Sequence, residues 1–256
     1  MVEAPPIPAS PAFRLDVPSG MASPRRELAG HRAIVVIDEG RAHLAAAAWS
    51  ALATVASALD PAVRGSDLAR IGLEGRRQRL SADAGRAVRR ALAWAAATDG
   101  AYDPTRRPAG DPAGRWRDVV LELEPPALRL PPGVRFDLGG LFAAVVVEHA
   151  LVALAEAGAG SVLVAVDGTV AAGGRPVRGG WRITLEPTGP AVRLRSGALA
   201  IVDGAAGGLG QAGLVHARGP LAAAARAAAR RAAPPGPQVR SQARVVPLPG
   251  ARRDRA

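Results

Sequence analysis

The sequence has no cysteine, no lysine and few aromatic residues. Without cysteine, disulfides, thiolate metal sites and cysteine nucleophiles are excluded, and the redox compartment stays undetermined. Without lysine, all 33 basic residues are arginine. So uniform a choice reflects a GC-rich coding sequence rather than guanidinium chemistry, so the net charge of +11 is discounted as a sign of a nucleic-acid partner. With only 3 Phe, 4 Trp and 1 Tyr, the core must be built from small aliphatics. Long apolar runs are also missing: the longest, within Leu141 to Leu154, is broken by Glu148 and His149 and falls short of the roughly 20 residues that span a bilayer. The opening MVEAPPIPASPAFRLDVPSG lacks a basic n-region and a continuous apolar stretch, so it does not read as a signal peptide. The expectation is a soluble, cytoplasmic protein with no membrane association.

What is present is enough chain, 256 residues, for one large domain with a real core. Residues 1–29 are rich in Pro, Ala and Arg without periodicity and read as an unstructured lead. His31 to Asp38 (HRAIVVID) reads as a buried strand. Leu44, Ala48, Leu52, Val55 and Leu59 then fall on one helical face between Glu39 and Asp60. A second helix starts at Ser81 as N-cap and runs through Ala97, with Gly100 as its stop. Two short strands, 118–123 and 127–130, form a hairpin. A helix over 141–157 follows, then a strand at 162–166 inside a sheet, and two more strands at 181–186 and 192–202. This alternation of strands, hairpins and long helices predicts a mixed α+β layer fold. After Pro220 the Ala/Arg run LAAAARAAARRAA reads as helical and the remaining tail as disordered. Residues 221–256 carry eight arginines against Asp254. A tail of that charge admits a second reading, a polyanion binder with steep salt dependence.

Four segments in this order resemble the FAD:protein FMN transferase family, also called the ApbE family. They are GSDLARIG at 65–72, TDGAYDPT at 98–105, FDLGGLFAAVVVEHA at 136–150, and the run from Ala157 through the Gly-Gly-Trp at 179–181. The resemblance implies a single two-lobed α+β domain of mixed and antiparallel sheets packed by long helices, over residues 30–220. It implies that FAD binds in the cleft and that, with Mg²⁺, FMN passes to a Thr hydroxyl of an acceptor protein with release of AMP. By the same resemblance Met21, Ala101, Tyr102, Asp103 and Asp137 contact the cofactor, and the backbone carbonyl of Gly140 reaches the metal. Asp137 also reads, on its own chemistry, as a cap for the following helix.

The chain departs from the family pattern where the chemistry sits. Ala143, Ala144 and Val145 stand where the family has a charged residue, Gly and Tyr, and Glu148 replaces an Asp and reads as a structural pairing group. Ala165 takes the place of an Asn, and Asp167 reads as a strand-end turn acid. Ile201 and Val202 replace two hydroxyl residues, His216 stands without its Asp and Thr, and the C-terminal Ala/Arg run lacks the family's Asp and Thr metal ligands. Magnesium wants hard oxygen donors, so the alternative reading is a flavin-nucleotide-binding or scaffolding relative without turnover. Gly208 to Gly213 matches G-x-G-x-x-G, but no helix opens on it and it reads as a loop. The four His residues show no metal-ligand spacing.

Overall fold

The computed structural model describes residues 13–28, 30–71, 75–105, 115–185, 191–202, 213–217 and 220. In chain order come β1 (Phe13–Asp16), β2 (Met21–Ala22), β3 (Arg25–Leu28), β4 (His31–Asp38), a 3-10 segment (Glu39–Leu44), α1 (Ala45–Leu59), β5 (Gln78–Arg79) and α2 (Ala82–Ala97). A 3-10 turn (Trp116–Asp118), β6 (Val120–Leu123), β7 (Pro126–Arg129), a second turn (Gly139–Leu141) and α3 (Phe142–Glu156) follow. The chain continues through β8 (Ser161–Val166), β9 (Thr169–Gly174), β10 (Trp181–Leu185), β11 (Ala191–Leu194), β12 (Gly197–Val202) and β13 (Gly213–Ala217).

The large sheet runs in the order β13-β12-β9-β8-β4-β2, with β3 also paired to β4, and every pairing in it is antiparallel. Its centre is buried on both faces. In β8, Val162, Val164 and Val166 point to the core shared with the helices, while Leu163 and Ala165 point to a second core beneath a three-stranded sheet, β1-β10-β11. This double burial explains why β4 and β8 read as continuous apolar runs although antiparallel strands usually alternate. A third small sheet, β5-β7-β6, sits beside α2.

The helices form where capping and spacing ask for them. In α1 the buried residues are Ala45, Ala48, Trp49, Leu52, Val55, Ala56 and Leu59, the three-and-four spacing of one buried stripe, and this stripe packs mainly on α3. Ser81 caps α2 by accepting the Ala84 N–H at 3.2 Å, and Gly100, at φ +76°, ends it with its N–H on the Ala95 carbonyl. A Cβ on Gly85 would lie 2.8 Å from Pro126 Cβ, so α2 approaches β7 as closely as the missing side chain allows. Glu39–Leu59 and Gly139–Glu156 are long and apolar enough to cross a membrane by composition. Here one face of each is buried in the shared core.

Two expectations are corrected. Residues 13–28 belong to the fold rather than to an unstructured lead: β1 pairs with β10, and β2 and β3 pair with β4. Their prolines fall between strands, where no ladder N–H is needed. The single strand over 192–202 is two strands, β11 in the small sheet and β12 in the large one, with the chain changing sheets at Arg195 and Ser196. The Ala/Arg run, the basic tail, Asp203 and most of the glycine loop at 208–213 lie outside the described residues.

Candidate functional site

The loop that ends α2 and the segment that opens α3 meet. Tyr102 is 5% exposed, and its hydroxyl donates to the Leu138 carbonyl at 3.1 Å. The Asp137 N–H donates to the Pro104 carbonyl at 2.8 Å. Burial first, and then the charges of Asp137 and Asp103, push the Tyr102 phenol well above its ordinary value, so the group stays protonated and remains a donor. The Tyr102 N–H in turn rests on Thr98 Oγ1 at 3.1 Å, so the ring is held from the end of α2 as well as from Leu138.

Each acid of the two segments has a defined local task. Asp103 Oδ1 accepts from the Thr105 N–H at 2.7 Å and from its hydroxyl at 2.6 Å, closing the turn after Pro104. Asp137 is exposed and its Oδ1 accepts the Gly139 N–H at 2.8 Å, so it caps the turn leading into α3, where a carboxylate also meets the positive end of the helix dipole. Gly140 is exposed in that turn. Ala101 is half-buried, with its N–H on the Thr98 carbonyl. Five of the six expected site residues, Ala101, Tyr102, Asp103, Asp137 and Gly140, therefore lie on two adjoining segments.

Met21 does not join them. It pairs with Asp38 at the far end of β4 and packs against the second core. His31, at the near end of β4, lies against Phe142 with ring centroids 4.5 Å apart. The eight residues of β4 span about 23 Å, so the strand holds Met21 apart from the start of α3. A concavity of about 350 Å³ lined by Asp38, Arg41, Gly160 and Arg175 lies at that far end.

Sequence reasoning missed one cluster at the near end. His31 Nδ1 is 2.6 Å from Asp167 Oδ2, and His31 Nε2 is 3.8 Å from Asp60 Oδ2. The Asp167 hydrogen bond first, and then the charges of Asp167 and Asp60, raise the imidazole above its ordinary value against an opposing effect of burial. Asp167 sits in the β8–β9 turn at φ +46° and also accepts the Arg32 N–H at 3.1 Å, which agrees with its reading as a turn acid. Glu148 pairs with Arg90, the structural role expected of it. Asp67, in the GSDLARIG segment, is buried and accepts from the Ser81 N–H and hydroxyl, tying the end of α1 to the start of α2.

Among the described residues, the donor set around Gly140 does not fit a hard divalent cation. Such an ion takes six or more oxygens, carboxylates among them. Asp137 is the one carboxylate of its segment, and the helix beyond Gly140 carries Ala143, Ala144 and Val145, the last two buried in the core. Among the described residues no group of three or more His, Asp or Glu side chains is arranged to hold a metal ion. The His216 side chain, and the C-terminal positions where the resemblance puts further ligands, lie outside the described residues.

Comparison with known proteins bears on these segments. The ApbE family model matches residues 30–207. Among solved structures, the ApbE protein of Thermotoga maritima is 17% identical with a TM-score of 0.68, covering 83% of this chain and 86% of that one. The apo flavinyl transferase ApbE of Pseudomonas stutzeri is 17% identical with a TM-score of 0.69, covering 83% and 84%. The flavin transferase ApbE of Vibrio cholerae is 16% identical with a TM-score of 0.66, covering 84% and 87%. No curated protein matches the sequence.

Proposed function

We propose, from the premise that the chain belongs to the ApbE family, that it binds FAD where Ala101–Asp103 adjoins Asp137–Gly140 and holds the nucleotide without magnesium-dependent turnover. The observation that carries this reading is the pair of contacts joining the two segments, Tyr102 to Leu138 and Asp137 to Pro104. They fix a rigid rim at the N-terminal end of α3, where backbone N–H groups and the helix dipole favour a phosphate. Beyond Gly140, Ala144 and Val145 are packed in the core and Ala143 lies against it, so these positions supply packing rather than chemistry.

The second reading is the transferase itself, in which FMN passes from FAD to a Thr hydroxyl of an acceptor protein and AMP is released. It is favoured by the persistence of TDGAYDPT and FDLGG as one joined unit in a family whose solved members include flavin transferases. Calorimetric titration with FAD, with and without Mg²⁺, followed by an assay for AMP release onto a Thr-bearing acceptor, separates the two. Binding that ignores magnesium, with no AMP, is the expected result. Magnesium-dependent binding with AMP release establishes the transferase, and absence of FAD binding in both conditions removes both readings.

A further inference from the structure

We infer that the outer face of the β1-β10-β11 sheet is a docking surface for an acidic segment of a partner protein. The inner face of this sheet, Leu15, Trp181, Ile183 and Leu194, closes the second core. Alternation then turns Arg14, Asp16, Arg182 and Arg193 outward, and the register sets Asp16 opposite Arg182 and Arg182 opposite Arg193. Asp16 is shared: Arg14 Nε lies 3.4 Å from one of its oxygens and Arg182 Nε 3.3 Å from the other. Among the described residues Arg193 meets no carboxylate; it donates to the Gly179 carbonyl at 3.0 Å. Exposed Arg175, Arg178 and Arg195 flank the sheet on its connecting turns.

The charge of the folded body is concentrated on this element. Residues 13–17 and 174–197 hold six arginines and two acids, while the rest of residues 1–220 holds nineteen of each. A coding bias that enriches arginine would spread it evenly, so the localisation is not explained by composition. Two arginines directly opposite one another in a cross-strand pair are also unfavourable, and a bound carboxylate relieves that repulsion.

Size and chemistry choose among anionic partners. Three strands of four or five residues give a flat patch about 10 Å by 15 Å, which suits a short run of carboxylates engaging guanidinium forks. The large exposed apolar side chains among the described residues, Val120, Leu123 and Val152, belong to β6 and α3, so this face offers no apolar anchor for a bilayer. It also presents no aromatic residue among its outward positions for stacking nucleic-acid bases. Among the described residues both β1 and β11 are edge strands, so an extended acidic segment can add backbone hydrogen bonds alongside its charge contacts.

The test is fluorescence anisotropy of a labelled 20-residue poly-glutamate peptide with the full chain across a salt series. Arg14→Gln/Arg182→Gln/Arg193→Gln is compared with Arg64→Gln/Arg79→Gln/Arg89→Gln, which removes the same charge elsewhere and leaves the basic tail in both proteins. The sheet variant is expected to bind about tenfold more weakly and the control less than about twofold. If the triple variant unfolds, Arg193→Gln alone is expected to weaken binding about twofold without lowering the melting temperature, because it relieves the like-charge pair. Equal losses in both triple variants overturn the proposal. So does sheet-dependent binding of single-stranded DNA or phosphatidylglycerol vesicles that is tighter than binding of the peptide.

Discussion

Replacing Tyr102 by Phe isolates the contact that joins the two segments of the candidate site. The substitution removes one oxygen from a side chain that is 5% exposed, leaves the ring in place, and takes away a single hydrogen bond to the Leu138 carbonyl. A typical net hydrogen bond is worth about 1 kcal/mol, and a buried carbonyl left wholly without a partner costs about 1–3 kcal/mol. The Leu138 carbonyl also accepts the Leu141 N–H at 2.9 Å, so it is never orphaned and the low end of the range applies. The expected loss is about 1–1.5 kcal/mol, or roughly 3–5 °C in melting temperature for a domain of this size. Denaturant titration of wild type and Tyr102→Phe, read by tryptophan fluorescence, measures it. Because the backbone contact from Asp137 to Pro104 survives, FAD binding should weaken only severalfold. A stability change below about 0.3 kcal/mol would show that Tyr102 does not hold the segments together, and the rigid-rim argument would fail with it.

Two further predictions concern the scaffold. The His31 pKa is raised by Asp167 and Asp60, so the ion pairs contribute fully below the unfolded value of about 6.5 and their contribution is lost as pH rises through the folded value. Urea midpoints from pH 5 to pH 9 should therefore fall with rising pH in wild type relative to Asp167→Asn, and parallel profiles would refute the assignment. Gly85→Ala gains about 1 kcal/mol of helix propensity, but its new Cβ would meet Pro126 at 2.8 Å, and overpacking costs about 1–3 kcal/mol. Net destabilisation of about 1 kcal/mol is expected in thermal melts, and stabilisation would mean that α2 and β7 separate freely.

The parts of the fold legible in the sequence are those whose signal is local. The Ser81 cap, the Gly100 stop and the spacing of α1 depend on residues within a few positions of one another, and all appear in the structure. β3 was hidden because its residues are largely exposed and its support is the backbone ladder to β4, which no side-chain pattern reports. The run 192–202 contains no proline and has apolar residues on both sides of Arg195 and Ser196, so it reads as one strand although the chain changes sheet there. The same limit applies to the site. The resemblance identifies TDGAYDPT and FDLGG, and each segment's turn chemistry is readable, but their meeting through Tyr102 and Pro104 is tertiary. His31 and Asp167 are 136 residues apart, and nothing in the spacing of four histidines announces that partner. Met21 shows the converse: a residue can fit a motif while the strand beside it holds it at the other end of the sheet.

The pairing of β1 with β10 sets an order of events during synthesis. Phe13 is matched with Leu185, so β1 cannot find its neighbour until about 170 further residues have been added. At about 5–20 residues per second, that wait lasts roughly ten to thirty seconds. Leu15, which ends up in the second core, stays in water throughout, and the outer surfaces of β4 and β8 remain uncovered until the small sheet closes over them. Contacts of such long sequence separation form slowly, so the helices and the β2, β3, β4, β8 and β9 strands of the large sheet have time to assemble first. The nascent chain thus passes through a stage with a partly built sheet, its helices and an open apolar flank, the interval in which a chaperone has most to cover.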